Sequence, residues 1–125
     1  MRTTIETHEA PRPAGPYSQA IRAGDFLYVS GQVPRAADGS YAPADVASET
    51  RLTLRNLAAV ARAAGADLSQ AVKITAYLAD GEDFAQFNRA YAEFFTESPP
   101  ARTTVVAGLR QVKVELDAVL YLGPS

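Results

Sequence analysis

The chain has no cysteine and a single histidine, His8. Without cysteine there is no disulfide staple, no thiolate nucleophile and no Cys-ligated metal site. One histidine near the N-terminus cannot supply a histidine-based triad or a multi-histidine metal site within one chain. Long apolar runs are also missing. Nothing approaches the ~20 residues that span a bilayer, and the opening Met1-Arg2-Thr3-Thr4-Ile5-Glu6 has no apolar signal core. A positive excess is missing too: 12 Lys and Arg stand against 14 Asp and Glu, a net charge of −2. No basic footprint for nucleic acid or anionic lipid is present. The expectation is a soluble protein, most simply cytoplasmic, with neither a membrane nor a nucleic acid as partner.

What is present reads as one globular domain over residues 1–125. At 47% hydrophobic and 21% charged, the chain can bury a core without staples. Residues Arg2 to Thr7 alternate weakly, as a short strand would. Pro11, Pro13 and Pro16, with Gly15, then exclude helix and central strand. They make a stiff loop that ends at Tyr17, which either serves a site or packs on the core. Ser18–Ala23 and Asp25–Val29 read as strands around the turn Ala23-Gly24-Asp25. The following Ser30-Gly31-Gln32 places a glycine at a strand end, where a bend or a close approach by a ligand calls for one.

Asp45 or Ser48 is a candidate N-cap. From there to Ala64 the positions Val46, Leu54, Leu57, Ala61 and Ala64 follow helical spacing, and Gly65 suits the end. Arg51, Arg55 and Arg62 fit the solvated face. Val72–Leu78 alternates as a strand. Phe84, Phe87, Tyr91 and Phe94 predict a second helix from about Asp83 to Phe95, with the aromatic stripe facing the core. Asn88 lies near that stripe, where a buried amide needs partners and would pin a neighbouring loop. Pro99-Pro100 stops this helix, Arg102 stands at the mouth of a strand Thr103–Ala107, and Val112–Leu122 forms the last strand. In it Val112, Val114, Leu116, Ala118 and Leu120 share the core face. Lys113, Glu115, Asp117, Val119 and Tyr121 share the other, which is either plain solvent surface or meets another subunit. The element order fits an α+β two-layer sandwich, one mixed sheet with two helices on one face. The semi-polar open face suggests an oligomer.

The candidates for chemistry are few. Arg102 carries a rigid fork of donors suited to a carboxylate or phosphate, or is a surface arginine. Glu115 is either a surface carboxylate or a group that positions or deprotonates a water. The two lie on what reads as the strands of one hairpin, which would bring them near each other.

Six segments resemble the RidA/YjgF family: Ala10-Pro-Arg-Pro-Ala-Gly-Pro-Tyr-Ser-Gln-Ala20, Tyr28-Val-Ser-Gly-Gln32, Thr53-Leu-Arg-Asn-Leu57, Asp83-Phe-Ala-Gln-Phe-Asn88, Pro100-Ala-Arg-Thr-Thr104 and Val112-Lys-Val-Glu-Leu-Asp117. The resemblance runs from about Ile5 to Leu122. It implies a chorismate-mutase-like fold, a homotrimer whose sheets line a central barrel, and sites in the clefts between subunits. The implied activity is hydrolysis of small reactive enamine or imine acids, of the 2-aminoacrylate and 2-aminocrotonate type, to 2-keto acids and ammonia, with no cofactor and no metal. The resemblance assigns Arg102 to the substrate carboxylate and Glu115 to the attacking water, with Tyr17, Ser30, Gly31, Asn88 and Thr104 around the pocket. Thr104 stands where the family often has cysteine. The segment Val105–Val112 is shorter than usual, and the common Leu-Pro before the last strand reads Leu109-Arg110. The family is broad, and it leaves open a deaminase or hydrolase of another small acid, or a non-enzymatic ligand sensor, chaperone or RNA-acting protein.

Overall fold

The structure is a computed structural model that describes residues 1–124. The chain runs through β1 (Arg2–Ile5), β2 (Ala20–Ala23), β3 (Phe26–Gln32), α1 (Val46–Ala63), β4 (Ala71–Leu78), α2 (Phe84–Ala92), β5 (Ala101–Val106) and β6 (Val114–Tyr121). One six-stranded sheet has the order β1-β2-β3-β6-β4-β5. Every neighbouring pair is antiparallel except β4 and β5, which are parallel and joined through α2. This is the two-layer α+β arrangement expected, with the two helices on one face. Among the described residues no helix is long and apolar enough to cross a membrane.

Strand alternation creates the core. Leu27 and Val29 of β3, Ile74, Ala76 and Leu78 of β4, and Val114, Leu116, Ala118 and Leu120 of β6 are buried on the helix side. Leu54, Leu57 and Val60 of α1 and Phe87 and Tyr91 of α2 close over them. Each large apolar side chain removed from water in this way stabilises the fold by roughly 1.5–3 kcal/mol. Helix α1 starts where Asp45 accepts from the Ser48 N–H at 2.7 Å and ends before Gly65, whose φ of 75° suits a residue without Cβ. The β2–β3 turn is the two-residue loop Gly24-Asp25, because Ala23 pairs directly with Phe26.

Several expectations change: β3 runs on through Ser30-Gly31 to Gln32, Arg102 lies inside β5 and not at its mouth, the last strand is Val114–Tyr121, and three further changes bear on the architecture. The first strand stops at Ile5 and the second begins only at Ala20, because Gln19 supplies a substitute for ladder bonds. Its buried amide accepts from the Thr7 N–H at 2.7 Å and donates to the carbonyls of Thr7 and Pro11 at 3.1 and 2.9 Å. The second helix ends at Ala92 rather than Phe95; the N–H groups of Phe94 and Phe95 turn back onto Tyr91 and Ala92, three residues earlier. Finally, β5 and β6 are not a hairpin. The mostly exposed β5 sits at the sheet edge, and β6, buried at every second residue, inserts between β3 and β4. Segment 107–113 passes round the end of β4, with the Ala107 N–H on the Leu78 carbonyl and the Ala79 N–H on the Lys113 carbonyl, both at 3.0 Å.

A buried carboxylate ties this crossing down. Glu49 is 2% exposed. It accepts from the Tyr41 hydroxyl at 2.7 Å, the Lys113 N–H at 2.9 Å, the Ala44 N–H at 3.1 Å and the Lys113 ammonium at 3.4 Å. Burial alone would raise its pKa, but these donors together outweigh burial and hold it below the ordinary glutamate value. The same contact, after burial, pushes the Tyr41 hydroxyl up to about 12. Because the Glu49 pKa is lowered on folding, its contribution is present above the unfolded-state pKa and is lost as pH falls through the folded one. Glu49→Ala should therefore lower stability at pH 7 by roughly 3 kcal/mol, read from the urea midpoint. The gap between variant and parent should narrow on acidification.

Candidate functional site

The polar side chains singled out by sequence fall into two separate groups, one on each face of the sheet. The first surrounds Glu115. Glu115 lies opposite Tyr77 of β4, on the face away from the helices. Between the pairs Val29–Ala118 and Gln32–Leu116 the β3 register shifts, so Ser30 and Gly31 together oppose Asp117. This bulge brings the Gly31 backbone against the Glu115 side chain. A Cβ at Gly31 would run into the Glu115 carboxylate, with Cδ 3.0 Å away. The glycine is there for a close approach, and the approaching group is the chain's own carboxylate.

Tyr17 stands over the same space. It is 51% exposed, so it does not pack on the core. Its hydroxyl accepts from the Ala14 N–H at 3.1 Å, and its own N–H donates to the Gly15 carbonyl at 2.9 Å. Ser30 holds this loop to the sheet: its hydroxyl donates to the Ser18 carbonyl at 2.6 Å and its N–H to the Gln19 carbonyl at 2.9 Å. Tyr17, Gly31 and Glu115 line a cleft of about 670 Å³ together with Arg12, Arg35 and the loop Gly108–Gln111. The same three residues line an adjoining hollow of about 560 Å³ with Tyr28, Ser30 and Asp117. Burial, and then the Asp117 charge two residues along the same face, push the Glu115 carboxyl above its ordinary value. Asp117 in turn accepts from the Tyr77 hydroxyl at 3.0 Å. Sequence reading placed Asp117 on this face but gave it no role; the i, i+2 spacing in a strand was the available signal.

The second group surrounds Arg102. Arg102 is in register with the buried Ile74, and Thr104 with the buried Ala76, so both point to the helix side of the edge strand. The guanidinium lies 4.7 Å from the ring centre of Tyr91, 5.2 Å from Phe87 and 5.9 Å from Phe84. Such stacking holds a cation without neutralising it, at about 0.5–2 kcal/mol per contact. Among the described residues no carboxylate forms an ion pair with it. The aromatic stripe of α2 is therefore core at Phe87 and Tyr91 and, at the same time, a platform for Arg102. Asn88 pins no loop through its carbonyl oxygen: among the described residues Oδ1 is buried without a partner, as are Thr104 Oγ1 and the Tyr91 hydroxyl. Buried polar atoms left open are uncommon, and these three lie on the two elements that hold Arg102.

Within one chain, then, Arg102 and Glu115 do not meet. The strand β4 separates them and they project from opposite faces. Among the described residues no group of three or more His, Cys, Asp or Glu side chains is arranged to hold a metal ion.

Comparison with known proteins fits this geometry into a family. The sequence model described as Endoribonuclease L-PSP matches residues 7–122. A RutC family protein of Pyrococcus horikoshii is 45% identical over 124 residues, covering 97% of this chain and 98% of its own length. The mouse protein named 2-iminobutanoate/2-iminopropanoate deaminase is 39% identical over 127 residues, covering 99% and 94%. Among solved structures, the Escherichia coli YjgF gene product superposes with a TM-score of 0.89 at 37% identity, covering 95% of this chain and 98% of that one. Escherichia coli TdcF with bound serine gives 0.89 at 34%, with the same coverage. Matched in sequence and in fold along nearly its whole length, the chain belongs to the Endoribonuclease L-PSP family, the family of YjgF, RidA and RutC.

Proposed function

We propose that the protein is a homotrimeric hydrolase that deaminates small 2-imino acids to 2-keto acids and ammonia, in sites shared between subunits. The observation that carries the reading is the division of the candidate residues. A guanidinium without an ion pair among the described residues and backed by aromatic rings, Arg102, lies on one side of an edge strand. A partly desolvated carboxylate, Glu115, lies in a cleft on the other side of the sheet. Each is half of a site, and a second copy of the chain is the simplest source of the other half. The mouse deaminase relative and the serine-bound structural neighbour support a small amino-acid-like ligand.

On this reading Arg102 grips the substrate carboxylate with two parallel N–H···O bonds, the Thr104 hydroxyl can donate beside it, and Asn88 Oδ1, which can only accept, is left for an N–H of the guanidinium. Fixing the acid in one orientation lowers the entropic part of the barrier. Glu115 holds a water against the imine carbon and takes its proton as the C–O bond forms. That proton passes to nitrogen to give the carbinolamine; the new hydroxyl then gives up its own proton, relayed to the same nitrogen, and as the C=O forms the C–N bond breaks and ammonia leaves the 2-keto acid behind. The net change is imine plus water to ketone plus ammonia. Tyr17 covers the pocket, and Gly31 leaves the carboxylate the space it needs.

A threonine or serine dehydratase generating the imine in the presence of semicarbazide provides the test. The protein should compete with the trap. Arg102→Ala and Glu115→Gln should each reduce that competition by about 100-fold or more, the scale of a lost orienting contact for the first and of a lost acid–base group for the second. Competition by Arg102→Ala equal to that of the parent would reject the assignment.

The pH profile supplies a second check. Glu115 must be ionised to take a proton, and its pKa is raised. The acid limb of the rate should lie above the ordinary glutamate range. Asp117→Asn removes the like charge and should move that limb to lower pH, measured as kcat/KM against pH.

A further inference from the structure

The cleft beside Glu115 is more cationic than a small monocarboxylic imine requires. Arg12, Arg35 and Arg110 line it, and Glu115 is the acidic residue among its described lining. None of the three guanidiniums is in an ion pair among the described residues. The partners they do have are not carboxylates. Arg12 Nη2 lies 3.3 Å from His8 Nδ1. Arg35 donates to the Gly39 carbonyl at 3.1 Å and to Gln111 Oε1 at 2.9 Å, and its guanidinium stands 5.4 Å from the centre of the Tyr41 ring.

The loop that carries Arg110 is built around this arrangement. Gln111 adopts φ of 71°, the left-handed region that a residue with a Cβ occupies at a cost. In that conformation its side chain meets Arg35, and its carbonyl oxygen lies 3.3 Å from the Tyr41 oxygen. Tyr41 is itself bound to the buried Glu49. Arg35 is thus held in place before any ligand arrives, so little ordering remains to oppose binding. Uncompensated positive charge in a concave site draws anions. With the substrate's first carboxylate assigned to Arg102, these cations are left without a substrate group to bind.

We propose that Arg35 and Arg110, with Arg12 at the rim, bind a second carboxylate at the side-chain end of the substrate, and that 2-imino dicarboxylic acids are the preferred class. The inference rests on the deaminase reading for the reacting end. Water supplies the product oxygen, ammonia leaves, and the product is a 2-keto dicarboxylic acid. The reaction that supplies such a substrate is the oxidation of an acidic amino acid to its imine.

The test generates two imines in place, one from aspartate and one from 2-aminobutyrate, with flavin oxidases and catalase, and measures competition with semicarbazide for each. The diacid imine should be favoured by about tenfold or more in kcat/KM, the scale of one charge-assisted hydrogen bond. Arg110→Gln, on an exposed loop, and Arg35→Gln should each reduce that preference by a similar factor. A preference near one, or one unchanged in Arg110→Gln, overturns the inference while leaving the deaminase reading intact. If neither imine is hydrolysed faster than in buffer, the deaminase reading fails, and calorimetric titration decides the inference alone. Tighter binding of 2-oxoglutarate than of 2-oxobutanoate, lost in Arg110→Gln, supports it; equal binding overturns it.

Discussion

The pleat of a β-strand allows each side chain only one of two faces, and the candidate site is shaped by that limit. In β6 the buried row Val114, Leu116, Ala118 and Leu120 must face the helices, so Glu115 and Asp117 face away from them. In β5 the register with Ile74 and Ala76 sends Arg102 and Thr104 to the helix side. A one-residue slip of β6 would turn Glu115 to the face of Arg102, but it would expose the whole apolar row of that strand. The hydrophobic core therefore keeps the two charged groups apart within one chain. Chemistry that needs both must draw them from different copies.

Each half is prepared by means suited to its charge. The cation rests on aromatic faces, which hold it in place and leave its N–H donors free. The carboxylate sits against the bulge at Ser30-Gly31, where a missing side chain gives it room and partial burial makes it more basic. A raised pKa in the folded state means that ionised Glu115 detracts from stability above its unfolded pKa. Local strain at Gln111 is of the same kind: the chain tolerates an unfavourable conformation where a loop must place particular groups.

The fold was largely legible because burial follows periodicity. The rows at Ile74–Leu78 and Val114–Leu120, and the helix capped by Asp45, could be read from spacing alone. What spacing could not give was which strands neighbour one another. Strands adjacent in sequence suggested a hairpin, whereas their burial patterns sort β5 to the edge and β6 to the centre. The site was legible in part. Arg102, Glu115, Tyr17 and Gly31 were candidates from residue type and position, with roles suggested by motif resemblance, but the opposite facing of the first two depended on strand order. Asn88 was expected to pin a loop, and its carbonyl oxygen is instead left open. Glu49 and Gln111 gave no sequence signal, since a glutamate in the first turn of a helix and a glutamine in a loop are ordinary; only tertiary contacts distinguish them.

The central claim is that one working site takes Arg102 from one subunit and Glu115 from another. Mixing the separately inactive Arg102→Ala and Glu115→Gln chains, followed by unfolding and joint refolding, tests it directly. Mixed oligomers, verified by native mass spectrometry, should regain imine hydrolysis, because some interfaces then join an intact Arg102 to an intact Glu115. Mixed oligomers that form and remain inactive would contradict the account.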